Sequence, residues 1–318
     1  MNGIINVYKE KGFTSHDVVA KLRGILKQKK IGHTGTLDPE AEGVLPICLG
    51  KATKVCDLLT EKDKVYETVM KLGIVTDTQD MTGVVLEQMD YSKGKAFQTS
   101  EGVLLDSEER KQVIREICMS FLGTYSQVPP MYSALKVNGK KLYELAREGK
   151  VVERKARQVT IHDLVIKNID LEQAEIAMEV TCSKGTYIRT LCHDIGEKLG
   201  CGACMKELKR TRVERFLEKD SLKLEKIEQL TKEGKIEEYL LSIDDIFLNI
   251  PKVIIKEVSS KLVYNGNPFY LKHIETERSD EGANLVGTVR VYDIRNIFIG
   301  LYEYEEDKKR YKPVKLFL

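Results

Sequence analysis

The segment GHTGTLDPEAEGVLPICLGKATK, residues 32–54, holds one aspartate, Asp38, among glycine, threonine and proline. Gly32, Gly35 and Gly43 permit backbone shapes that other residues resist, and Pro39 pushes Asp38 from the helical region toward an extended conformation. A loop of this kind can present one carboxylate to a pocket. A phosphate-cradling loop would end in Gly-Lys-Ser/Thr, which is missing, and the acid would repel the phosphate. A glycosidase needs a second carboxylate, and Glu40 and Glu42 are too near in sequence to be given opposite faces. A purely structural turn is the plain alternative. The other candidate for chemistry, Cys201-Gly-Ala-Cys204 with Cys192-His193 upstream, lacks the second well-spaced pair of a zinc site and reads as a tight turn after a helix.

Asp38 needs elements to hold it. Thr14-Ser-His-Asp17 is a capping-box-like start, followed by Val18, Val19, Leu22, Ile25 and Leu26 at helical spacing. After the glycine-rich loop, Tyr66, Thr68, Met70 and Leu72 alternate with Val65, Glu67, Val69 and Lys71, a strand that ends at Gly73; TDTQDMTG then reads as a turn. Ile176, Met178, Val180 and Cys182 predict another strand, and Ile188, Leu191, Cys192, Ile195 and Leu199 a helix stopped by Gly200. Strands and helices mix without a regular βαβ repeat, so the expected class is α+β with a mixed sheet. Residues 124–152, with paired prolines, an Asn138-Gly139 step and aromatics among lysines, predict a mobile surface arm. Residues 217–250 are acidic and helical in pattern. Past Ile250-Pro251 short strands and turns take over, which predicts a large domain over 1–250 and a small β-barrel module over 251–318.

The chain has 318 residues, 42% hydrophobic and 31% charged, the composition of an ordinary globular protein. It contains no apolar run of membrane length and opens without a cleavable signal, so a cytoplasmic location is expected. Its seven cysteines then read as reduced thiols. A net charge of +2 says little, but its distribution says more: residues 21–30 carry five basic side chains and no acid, 136–157 carry eight against three, and KELKRTRVER spans 206–215. Such runs make solvated helix faces or patches for a polyanion.

Four blocks in order, GHTGTLDPEAEGVLPICLGKATK, DKVYETVMKLGIVTDTQDMTGVV, VPPMYSALKVNGKKLYELAREG and CSKGTYIRTLCHDIGEKLGCGACMKELKRT, resemble the TruB family of tRNA pseudouridine synthases and cover most of residues 1–216. KLVYNGNPF and YDIRNIFIGLYE resemble, more loosely, a PUA RNA-binding module. The resemblance implies a pseudouridine synthase catalytic domain with an inserted RNA-binding arm and a PUA-like barrel. The implied reaction converts uridine 55 in the tRNA T-loop, flipped out of its stack, to pseudouridine. One carboxylate suffices for that isomerisation, so no metal or redox cofactor is expected. The implied partner is the tRNA T-arm, with no protein partner required, no membrane, and a monomeric chain.

By the same resemblance Asp38 is the catalytic carboxylate and Arg189, in GTYIRT, the arginine that keeps it ionised and oriented. Tyr66 stacks on the target base and takes part in removing the C5 proton, while Tyr187 and Leu208 line the uracil pocket and His33 meets the displaced nucleotide. Tyr187 lies two residues before Arg189, so an extended backbone would place both side chains on one face. Three positions depart from the family pattern: Glu10 replaces a frequent proline, Cys204 a frequent histidine, and Glu214 a common glycine, which predicts a differently shaped turn. Two rivals share the scaffold, a catalytically silent RNA-binding protein and a guide-RNA-dependent synthase of the dyskerin kind. The intact Asp38, Tyr66 and Arg189 argue against the first, and VPPMYSALKVNG resembles the stand-alone form.

Overall fold

The first helix begins where the threonine predicts it. Thr14 Oγ1 accepts the Asp17 N–H at 3.0 Å and Asp17 Oδ2 accepts the Thr14 N–H at 2.8 Å, a reciprocal cap. In the computed structural model, which describes residues 1–137, 139–280 and 287–318, β1 (Gly3–Lys9) leads through this helix, α1 (Ser15–Ile25), to β2 (Ile31–His33). The loop bearing Asp38 joins β2 to β3 (Glu42–Leu49), and α2 (Cys56–Thr60) precedes β4 (Lys64–Leu72). A hairpin, β5 (Ile74–Thr76) with β6 (Val85–Gln88), and α3 (Ser107–Met119) lead to β7 (Gly123–Gln127). The arm then forms a second small hairpin, β8 (Lys136–Val137) with β9 (Lys140–Lys141), and α4 (Leu142–Arg147). Asn138, half of the Asn-Gly step, lies outside the described residues.

β10 (Arg157–Asp170), β11 (Glu175–Cys182), α5 (Ile188–Leu199), β12 (Ala203–Val213), β13 (Phe216–Leu217) and α6 (Leu224–Lys232) complete the large sheet and its cover. The strands run in the order β1-β3-β12-β4-β11-β10-β7, with β2 on β3 and β13 on β12. Among the described residues of this sheet, only the β12 and β3 strands pair in parallel, so the sheet is mixed, as the irregular element order predicts. On β4 the predicted face, Tyr66, Thr68, Met70 and Leu72, is buried; on β11 it is Ile176, Met178, Val180 and Cys182. Against them pack Ile188, Leu191, Ile195 and Leu199 of α5 and Ile114 and Cys118 of α3. Helices α1 and α6 cover the β1 and β3 end through Val18, Leu22, Ile227 and Leu230. Gly200 ends α5 in the left-handed region at φ 73°, and the chain turns through Cys201–Gly202 into β12.

The C-terminal strands, β14 (Lys252–Ile254), β15 (Thr288–Tyr292) after the short α7 (Ser260–Tyr264), β16 (Phe298–Glu305) and β17 (Arg310–Leu316), form a separate four-stranded sheet in that order. Among the described residues this sheet stays open, where the spacing of short strands predicts a closed barrel. Phe298, Leu301 and Phe317 reach back to Ile4, Val44, Val55, Phe216 and Phe247, so the two sheets share one apolar cluster.

Candidate active site

The Asp38 loop is tied down at several points. Ser15, fully buried at the start of α1, accepts the Leu37 N–H through its Oγ at 2.9 Å. Lys9, also fully buried, donates its Nζ to the carbonyls of Phe13 at 2.6 Å and Pro39 at 3.0 Å. Burial lowers that lysine to about 8. From the other side Arg210 donates to Val44 O at 2.7 Å and Gly35 O at 3.3 Å. Where β12 meets β3, a Cβ on Gly43 would lie 2.2 Å from the Arg210 carbonyl oxygen and the backbone sits at φ 108°, so this crossing requires glycine.

Asp38 thereby faces Arg189. The Arg189 Nη2 donates to Asp38 Oδ1 at 3.2 Å, and its Nε lies 2.9 Å from Oδ2, a charge contact whose N–H is poorly aligned for a hydrogen bond. The same guanidinium donates to Thr78 O and Tyr132 O, both at 2.9 Å, and sits 3.6 Å from Asp80 Oδ2. The arginine side chain is 5% exposed while that of Asp38 keeps 35%, so the carboxylate is the member of the pair open to a ligand. Burial pushes the Asp38 carboxyl above the usual aspartate range; Arg189 pulls it down, Asp80 adds to the rise, and Lys9 opposes it. Arg189 favours the ionised form, as the resemblance implies, but burial outweighs it.

Tyr66 and Leu208 are both buried, and they belong to the same apolar cluster as Leu37, the residue before Asp38. Burial raises the Tyr66 phenol above its ordinary value. Tyr187 is half-buried and does not lie in a strand. It is the residue before α5, and Arg189 is already in the helix's first turn. The extended-backbone argument for their shared face therefore fails. What orients Tyr187 is Gln127, whose side chain accepts its N–H at 2.8 Å and donates to its carbonyl at 3.0 Å. His33 accepts the Gly35 N–H through Nδ1 at 3.3 Å and meets His16 edge to face at 5.4 Å. Burial, with the nearby cations, lowers it to about 4, so it is neutral at pH 7.

Several contributors carry no sequence signal of their own. Lys9 and Ser15 are isolated polar residues, and the turn over TDTQDMTG supplies Asp80 and the Thr78 carbonyl. Within it Asp80 Oδ1 accepts from Thr78 Oγ1 at 2.8 Å and from Thr82 N–H at 3.0 Å. Gln79 accepts from Thr190 at 2.7 Å and so docks the turn on α5. The arm has its own small core of Met131, Leu142 and Leu145, and its Tyr132 carbonyl reaches Arg189.

The three basic runs differ. Arg23, Lys29 and Lys30 line an open recess of about 560 Å³ with His16 and His33. In the arm, Lys140 and Lys150 share Glu148 at the surface. The run 206–215 is largely taken up by the sheet: Lys206 pairs with Glu175, Lys209 with Glu67 and Glu218, and Arg210 is buried.

A model of the TruB family pseudouridylate synthase N-terminal domain matches residues 23–188, and one of the tRNA pseudouridylate synthase B C-terminal domain matches residues 189–247. The tRNA pseudouridine synthase B of Lachnoclostridium phytofermentans is 55% identical over 324 aligned residues, covering all of both chains. That of Clostridium perfringens is 45% identical, covering 100% of this chain and 99% of its own. Among solved structures, a Cbf5-Nop10-Gar1 complex contains a chain 26% identical with a TM-score of 0.67, matched over 99% of this chain and 85% of that one. An archaeal box H/ACA sRNP Nop10-Cbf5 complex matches at 25% identity and a TM-score of 0.65, over 100% and 86%.

Proposed function

The chain belongs to the TruB family of pseudouridylate synthases, and from that premise we propose that it isomerises uridine 55 in the T-loop of tRNA. The observation that carries the reading is the Asp38–Arg189 pair, open on the carboxylate side, next to the apolar cluster that holds Leu37, Tyr66 and Leu208. The reaction breaks the N1–C1′ bond, turns the base over and joins C5 to C1′; one proton leaves C5 and N1 gains one. A carboxylate paired with an arginine fits it as nucleophile or charge stabiliser. Arg189 orients Asp38 through the planar fork of its guanidinium. Tyr66 gives a face for the flipped base to stack on and takes part in removing the C5 proton, Tyr187 and Leu208 close the uracil pocket, and neutral His33 meets the displaced part of the loop.

Taking a uridine out of its stack costs a few kcal/mol, and RNA contacts must offset that. The recess beside His33 and the lysines of the 124–152 arm supply them. Residues 1–250 act as the catalytic domain and 251–318 as a PUA-like RNA-binding module, in a cytoplasmic monomer that needs no protein partner. The likeness to chains from Cbf5 complexes raises a second reading, a synthase that works within a guide-RNA particle. Two measurements decide between them. Pseudouridine mapping of total tRNA with and without this protein should show the T-loop position appear and vanish with it. The purified chain should modify a T-arm transcript with no guide RNA; dependence on a guide would favour the second reading.

A further inference from the structure

Arg210 is the largest fully buried side chain in the described molecule, 1% exposed, and among the described residues it forms no ion pair with a carboxylate. Burying a cation without a counter-charge is costly. Its two bonded acceptors, Gly35 O and Val44 O, stand on either side of Asp38, one on each stem of the loop. Its cross-strand partner on β4 is Tyr66, and directly opposed residues of an antiparallel pair have their side chains in contact range. A register shift between Arg210 and Arg212 follows, a bulge of the kind that re-aims a side chain.

Resting on the reading of Asp38 and Tyr66 above, we propose that Arg210 is a positioning residue for the isomerisation: it ties both stems of the Asp38 loop to the strand facing Tyr66 and so sets the carboxylate's place relative to the ring on which the base stacks. Arg189 orients the carboxylate itself, whereas Arg210 holds the backbone that carries it. A lysine would not reproduce the tie, because the guanidinium reaches Val44 O and Gly35 O from two different nitrogens, Nε and Nη2, held apart in one rigid plane, whereas an ammonium has a single nitrogen.

The test uses the full chain and a T-arm transcript. Arg210→Lys and Arg210→Gln are compared with Arg212→Gln, an exposed neighbour on the same strand. Single-turnover pseudouridine formation at saturating RNA should fall roughly 10- to 100-fold per folded molecule in both Arg210 variants. RNA affinity should change little, and Arg212→Gln should keep the wild-type rate. Amide hydrogen exchange should accelerate over residues 35–44 while β10 and β11 stay protected. A full rate in Arg210→Lys, or a lower melting temperature with an unchanged rate per folded molecule, would overturn the proposal. Should neither variant fold, exchange in the native protein decides: residues 35–44 must be among the protected segments, and exchange there within seconds rejects the tie. Asp38→Asn is run alongside. If it is inactive while Arg210→Lys is fully active, only this proposal fails; if Asp38→Asn is fully active, the functional reading itself fails.

Discussion

Arg189 meets four separate groups, the carboxylates of Asp38 and Asp80 and the carbonyls of Thr78 and Tyr132. An ammonium in its place has neither the reach nor the plane to serve them together. Arg189→Lys is therefore expected to lower the single-turnover rate by roughly 100-fold or more, since misplacing a reacting group by an ångström costs about that much. A lysine variant at full rate would remove the pair from the chemistry. The pH dependence follows from the same cluster. Because burial and Asp80 raise the Asp38 carboxyl above its ordinary 3.8, the form required for reaction is lost as pH falls through that raised value, and the acid limb of the single-turnover rate lies above the usual aspartate range. Removing the like charge with Asp80→Asn should move the limb to lower pH, whatever it does to the plateau. A limb that stays or moves up would contradict the assignment.

Among the elements, the turn from β12 to β13 carries Glu214 in a conformation unusual for a residue with a side chain. Glu214 itself takes the left-handed conformation that glycine tolerates best, at φ 50°, and its carboxylate accepts the Arg215 N–H at 2.8 Å. A side chain in this conformation costs strain, so Glu214→Gly should raise stability by about 0.5 kcal/mol, the strain relieved less the chain entropy glycine adds. Thermal unfolding checks it, and a lower melting temperature would mean that the Glu214 contacts outweigh the strain. The arm makes a different prediction. Lys136, Lys140 and Lys141 to alanine should weaken T-arm binding and flatten its salt dependence by at most about three counterions, with little change in the saturated rate. An unchanged slope with a collapsed rate would make these lysines part of the pocket. The periodic elements, α1, β4, β11 and α5, were legible because an apolar stripe with a cap or a closing glycine leaves a pattern in sequence. Asp38, Tyr66 and Arg189 were legible only through four ordered blocks. Lys9 and Ser15 were not, because a single buried polar residue has no period and the loop it ties, through Pro39 O and Leu37, lies well along the chain; Asp80 was not, because only the fold brings its turn against Arg189. The basic run 206–215 misled because charge counts cannot show that Lys206 and Lys209 face acids, Glu175, Glu67 and Glu218, that the fold brings to them from elsewhere in the chain.

On the scale of the whole molecule, the C-terminal sheet is packed against the large one. Phe298, Leu301 and Phe317 share a cluster with Val55, Phe216 and Phe247, Lys54 donates to Leu316 O at 2.7 Å, and Arg290 donates to Ile250 O at 2.7 Å. Cutting near Pro251 would expose several large apolar side chains, each worth about 1.5–3 kcal/mol when buried. The truncated chain should therefore unfold at clearly lower temperature than the full one, as well as needing more RNA; equal melting temperatures would show that the shared cluster contributes nothing. The seam between the sheets could not be read from sequence, since Val55, Phe216, Phe247, Leu301 and Phe317 come from separate stretches of the chain and each stretch alone reads as a local core.

The central claim is that one carboxylate carries the chemistry. Asp38→Asn removes its charge and almost none of its volume, so folding and T-arm binding should match the wild type. Single-turnover pseudouridine formation on a saturating T-arm transcript is the measurement, and the expected result is no detectable product from a folded, RNA-bound variant. Product at the wild-type rate would contradict the account, and the pocket around Asp38 would have to be read as structure alone.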